Sequence, residues 1–150
     1  MNNYSLVPEF TIKLNSKIKA SQRVQVQSSK DSYLIFKEIF DADTIDWYES
    51  MIIIALNNRN KVLGSYKISS GSVTGTICDP RVVFQFALLS NASNIILAHN
   101  HPSGGLQPSK ADIAITDKIK KAGEIMDIRL LDHIIITSEG YYSFADEGML

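Results

Sequence analysis

The 150 residues predict an α/β domain in which a mixed β-sheet is flanked by helices. Apolar runs of strand length alternate with segments whose apolar residues recur at helical spacing. Some neighbouring runs are joined by turn residues, as in hairpins, and others are separated by a whole helix, as in crossovers. Antiparallel and parallel pairings are therefore both expected in one sheet. The length suits one domain, and a chain of this size buries about 70% of its extended surface.

The first element is a short helix: Asp31-Ser32 precedes YLIFKEIF, where Ile35, Phe36, Ile39 and Phe40 fall on one helical face. SMIIIALNN is a compact strand run, NRNK supplies turn residues and VLGSYKIS is extended again, so this segment is a hairpin. Gly64, Gly71 and Gly75, with many Ser and Thr, mark an irregular or edge-strand region up to Ile77. Asp79-Pro80 is an N-cap and first-turn pair, followed by an apolar helix over VVFQFALLSNA. Asn94 to Ala98 is almost wholly apolar, as expected of a strand buried on both faces. It runs into HNHPSGGLQPS, a loop dense in Pro, Gly and Ser. A longer amphipathic helix begins at Ser109, LLDHIIIT is a second buried strand, and YYSF after a Ser-Glu-Gly turn is its hairpin partner.

Composition narrows the function classes. A hydrophobic share of 45%, a charged share of 21% and a mean hydropathy of −0.01 are those of an ordinary globular protein. No run approaches the roughly 18 apolar residues of a membrane span, and no basic-then-apolar leader is readable, so a cytoplasmic location is expected. The single cysteine, Cys78, excludes an internal disulfide and a cysteine-cluster zinc site. A net charge of −1 gives no overall footprint for nucleic acid. Residues 1–29 form a basic leader, expected to be partly disordered or to pair as an edge strand, and residues 30–150 form the domain. Residues 1–30 contain Lys13, Lys17, Lys19, Arg23 and Lys30 against only Glu9. A solvated leader explains so few charges better than a nucleic-acid arm.

The chemistry concentrates where the apolar strand ends. His99 and His101 are two of three histidines, and if the extended backbone continues, both imidazoles point to one side and can share a cation. Asp112 lies early in the next helix, behind a loop that Pro102, Gly104 and Gly105 let bend, and its carboxylate can fold back over them. Two His and one Asp leave one tetrahedral position for water, which is the catalytic zinc arrangement. Glu49, at the start of the SMIIIAL strand, is the candidate base, and Ser109 offers a hydroxyl to an oxyanion. Each residue also has a plainer reading. Ser109-Lys-Ala-Asp112 is a capping box that needs no metal, and Glu49 alone would be a surface residue. His133 is better explained as a packed strand histidine satisfied by its neighbours and Asp132, and Cys78 as a small buried hydrophobe.

At these residues the chain resembles a known family. HNHPSGGLQPSKAD fits the JAMM pattern of two histidines around one residue, seven residues, Ser, two residues and Asp, at His99, His101, Ser109 and Asp112. CDPRVVFQFALLSNASNIILAHNHPSG, DIRLLDHIIIT and YYSFADEG resemble RadC, the bacterial branch of the JAB/MPN metalloproteases, across about residues 30 to 150. The resemblance implies a JAB/MPN (cytidine-deaminase-like) fold, Zn2+ on His99, His101 and Asp112, Glu49 as general base and Ser109 beside the oxyanion. It also implies hydrolysis of peptide or isopeptide bonds, hence a peptide or protein substrate, and carries a DNA-repair label. The helix-hairpin-helix region that precedes this domain in full-length RadC proteins does not fit in 30 leading residues, and Val82 stands where an acidic residue is usual. DNA binding is accordingly expected to be weak, and a homo-oligomer is compatible with the sequence.

The competing reading is a DNA- or protein-binding accessory in which the metal only stiffens the loop. A cytidine-deaminase reaction fails for want of a second cysteine. An iron oxygenase with two His and a carboxylate stays open until the metal is known.

Overall fold

The computed structural model describes Pro8, residues 17–72 and residues 78–150. The elements are α1 (Ser29–Ile39), β1 (Glu49–Leu56), β2 (Val62–Ser72), α2 (Pro80–Leu89), β3 (Asn94–Asn100), α3 (Lys110–Ile125), β4 (Arg129–Ile136) and β5 (Tyr141–Ser143). One five-stranded sheet runs in the order β2-β1-β3-β4-β5. Among the described strands only β3 and β4 are parallel; β1 pairs antiparallel with both β2 and β3, and β5 with β4. The sheet is thus mixed, and α3 is the crossover helix that a parallel pair requires. Most of the leader, including Lys13, and the glycine-containing stretch 73–77 lie outside the described residues. Among the described residues no helix is long and apolar enough to cross a membrane.

Strand alternation explains why the central strands carry no polar face. Ile52, Ile54, Leu56, Ile96, Ala98, Ile134 and Ile136 pack with Phe36 and Phe40 of α1. Ile53, Ile95 and Leu97 point the other way, into Val83, Phe84 and Ala87 of α2 and Ile119 of α3. Helices cover both faces, so every residue of β3 is buried. The odd-numbered residues of β1 and β3 face α2 and α3, which sends Glu49 and His99 to that side. Before α1, Val26 joins the core and Gln25 bridges Lys61.

The helices begin at side-chain caps. Asp79 accepts from the Arg81 amide with Pro80 in the first turn, as expected from the sequence. α1 starts earlier than the periodicity predicts. Ser28 is its N-cap, accepting from the Asp31 amide, while Asp31 accepts from the Gln27 and Ser28 amides. Asp31 is therefore the third residue of the helix, closing a capping box, and not its start signal. β3 also runs past Ala98: Asn100 pairs with Ile136 of β4, and the His101 amide donates to the Ile136 carbonyl at 3.1 Å.

Candidate metal centre

The continuation of β3 puts two imidazoles at the carboxyl edge of the sheet. In the antiparallel register Met51 of β1 lies opposite His99, and the same register carried two residues further brings Glu49 alongside His101. The loop then turns back, with the Gly104 amide donating to the His101 carbonyl and Gly104 at φ +78°, a conformation glycine adopts without strain. Its return delivers Ser109, the N-cap of α3, and Asp112 in the first helical turn.

Four side chains converge there. His99 Nε2 and His101 Nε2 are 2.9 Å apart. Asp112 Oδ1 lies 3.2 Å from His99 Nε2, and Asp112 Oδ2 lies 3.5 Å from His101 Nε2. Glu49 Oε1 is 3.9 Å from His101 Nε2, and Glu49, His99 and His101 each offer a ligand atom within 4.8 Å of the others. All four side chains are between 1% and 14% exposed, so they are shielded from bulk water without being sealed off. Ring nitrogens and carboxylate oxygens are the donor set that zinc and other first-row divalent ions take. Two imidazole nitrogens aimed at each other this closely need a cation or a proton between them.

Asp112 serves two purposes that the sequence presents as alternatives. Its Oδ2 accepts from the Ser109 amide at 2.7 Å, and its own amide donates to Ser109 Oγ at 3.1 Å, completing the capping box. Its Oδ1 is left to face His99. Ser109 is exposed and acts first as a cap.

A family model for the RadC-like JAB domain matches residues 26–149. The chain belongs to the RadC-like JAB domain family. Its relatives include UPF0758 proteins of Flavobacterium johnsoniae, 48% identical over 83% of this chain and 53% of the relative, and of Porphyromonas gingivalis, 38% identical over 93% and 62%. A third, from Chlorobaculum parvum, is 39% identical over 68% of this chain and 46% of the relative. The chain spans about half the length of the curated relatives it matches.

In this RadC-like JAB domain burial and charge act differently on Asp112, His101 and Glu49. For Asp112, burial acts to raise the carboxyl, but the bonds to His101 and His99 outweigh it and hold the carboxyl far below the ordinary range. His101 is raised, first by its bond to Asp112, against burial, and further by its contact with the Gly105 carbonyl, 2.7 Å from Nδ1. Burial raises Glu49 even though both histidines pull it down. Cys78, half-buried, is pushed up to about 12 chiefly by burial, which disfavours its thiolate.

Two supporting residues, Asn100 and Thr116, escape sequence reasoning, and a third, His133, is the packed strand histidine expected but with other partners. Asn100, between the two histidines, points to the opposite face: its Oδ1 accepts from the Ser50 amide at 2.7 Å, and its Nδ2 donates to the Ile45 and Tyr48 carbonyls at 2.6 and 2.9 Å. It thereby anchors the backbone on both sides of Glu49. His133 is satisfied by a different route from the one expected. Its ring contacts His99 Nδ1 at 2.8 Å and Thr116 Oγ1 at 2.6 Å. The Asp132 carboxylate is occupied by the His133 amide, the Ser143 hydroxyl and the Ala145 amide. Thr116 donates to the Asp112 carbonyl at 2.6 Å. Its spacing of four from Asp112 was the available signal, since such residues share a helix face.

Proposed function

We propose that this domain is a zinc-dependent hydrolase of peptide or isopeptide bonds, with His99, His101 and Asp112 as metal ligands, Glu49 as general base and Ser109 as oxyanion donor. The observation that carries the reading is the approach of two ring nitrogens to 2.9 Å with the Asp112 carboxylate 3.2 and 3.5 Å away. Asp112 is preferred to Glu49 as third ligand because it reaches both imidazoles, whereas the closest approach of Glu49 to His101 is 3.9 Å. When bound, zinc supplies a Lewis acid that polarises a carbonyl and brings the pKa of a coordinated water toward about 7.

The rest of the chemistry falls to the chain. Glu49, shielded and raised by burial, accepts the proton of the attacking water and returns it to the leaving amine. Ser109 Oγ uses a lone pair on the Asp112 amide, which leaves its hydroxyl proton for the developing carbonyl oxyanion. Asn100 holds Ser50 and Tyr48, on either side of Glu49, so that the base keeps its distance from His101.

Glu49→Gln separates the roles. The variant is expected to keep zinc and lose turnover of a panel of peptide- and isopeptide-linked substrates. Loss of zinc from it would make Glu49 a ligand and overturn the assignment. Metal analysis of protein purified without added metal decides between zinc and iron.

A further inference from the structure

We propose that Thr116 and His133 are positioning residues that set the tautomer of His99, so that its Nε2 lone pair is presented to a divalent cation. The inference rests on the metal reading above and extends it to two residues that touch no cation. It follows from the order of donors in a buried chain. The Asp112 carbonyl can only accept, so the Thr116 hydroxyl proton, 2.6 Å away, is committed to it. Thr116 Oγ1 is then free only to accept from its other neighbour, His133 Nδ1, at 2.6 Å, and that nitrogen carries hydrogen.

The His133 ring is fully buried and stacked on Phe144, with ring centroids 4.9 Å apart. Among the described residues its two nitrogens meet only a hydroxyl and an imidazole, and no carboxylate there bonds to the ring to balance a charge. The ring is therefore neutral, with its lone pair on Nε2, and His99 Nδ1, 2.8 Å away, must donate to it. With its proton on Nδ1, His99 turns a bare Nε2 toward His101 and Asp112. His101 reaches the same state independently, because its Nδ1 faces the Gly105 carbonyl at 2.7 Å and can only donate. Both Nε2 lone pairs thus point into one space. The chain of bonds begins on the backbone of Asp112 and ends on the ring of His99, linking α3 to β3 through β4.

Thr116→Val is the decisive variant because it keeps the shape and removes only the hydroxyl. A buried N–H without an acceptor is costlier than a buried lone pair without a donor, so His133 moves its proton to Nε2. His99 must then accept at Nδ1 and carry hydrogen on Nε2, which competes with a metal. Zinc affinity, read by competition with a chelating dye, is expected to fall about 10- to 100-fold, and Thr116→Ser to restore it. Imidazole nitrogen NMR of the metal-free proteins should show His99 protonated on Nδ1 in the wild type and on Nε2 in Thr116→Val. Wild-type affinity in a folded Thr116→Val variant, or a wild-type His99 that carries hydrogen on Nε2 and none on Nδ1, would overturn the proposal. The wild-type spectrum decides even if the variant fails to fold. A wild type that binds no metal but shows the expected tautomer defeats the metal reading and not the relay.

Discussion

Asn100→Ala removes three hydrogen bonds and touches no candidate ligand. The side chain accepts from Ser50 and donates to Ile45 and Tyr48 inside a region where Ser50 and Asn100 are 5% and 1% exposed. At about 1 kcal/mol net for each bond the loss is about 3 kcal/mol, and stranding the buried Ser50 amide takes it toward about 5 kcal/mol. Against a typical total of about 5–15 kcal/mol this is a large fraction. In a domain of this size it corresponds to a fall in Tm of roughly 10 °C. Urea unfolding in the presence of chelator measures it, with the midpoint falling and the slope unchanged if two-state behaviour holds. Asn100→Asp should do no better, because it keeps the acceptor for Ser50 but turns a carboxylate oxygen toward two carbonyls. A loss below about 1 kcal/mol for Asn100→Ala would refute the reasoning, since it would mean that Asn100 does not anchor the start of β1.

Two further outcomes follow from specific contacts. Gly123→Ala should destabilise the fold by about 1–3 kcal/mol by overpacking, because a Cβ there would collide with the Ile128 carbonyl oxygen; thermal unfolding showing the gain usual for Gly to Ala in a helix would contradict the placement of α3. The pH dependence of the metal-free protein should report the His101–Asp112 contact. His101 is raised on folding, so its contribution is complete below about 6.5 and is lost as pH rises through the folded value. Asp112 is depressed, so its contribution is complete above about 3.9 and is lost as pH falls through the folded value. Burial of His133 acts in the opposite direction near neutrality, which makes the difference between wild type and Asp112→Asn the quantity to measure. That difference should be greatest between about pH 4 and 6.5; a difference that grows from pH 6.5 to 8 would contradict it.

The parts of the fold legible in the sequence are those in which a local signal and the tertiary structure agree. MIIIAL and NIILA read as buried strands because helices cover both of their faces, and Asp79-Pro80 and Ser109 read as helix starts because the caps satisfy amides in their own first turn. The end of β3 was not legible. His99 and Asn100 are polar, and their strand conformation depends on pairing with Ile135 and Ile136, far along the chain. The capping box and the converging carboxylate looked like alternatives because a sequence does not show that a carboxylate can assign one oxygen to its helix and the other to a histidine. The partner of His133 was missed for a similar reason. Asp132 is adjacent in the chain, but the two side chains point to opposite faces of β4, and only the parallel register brings His99 within reach.

The central claim is that His99, His101 and Asp112 hold one divalent cation while Glu49 stands by without binding it. Anomalous diffraction at the zinc edge from crystals of the protein purified without added metal tests it most directly. The account predicts a single peak among His99 Nε2, His101 Nε2 and an Asp112 oxygen, with Glu49 outside the coordination sphere. No peak even after soaking in zinc, or a peak held by Glu49 in place of Asp112, would contradict it.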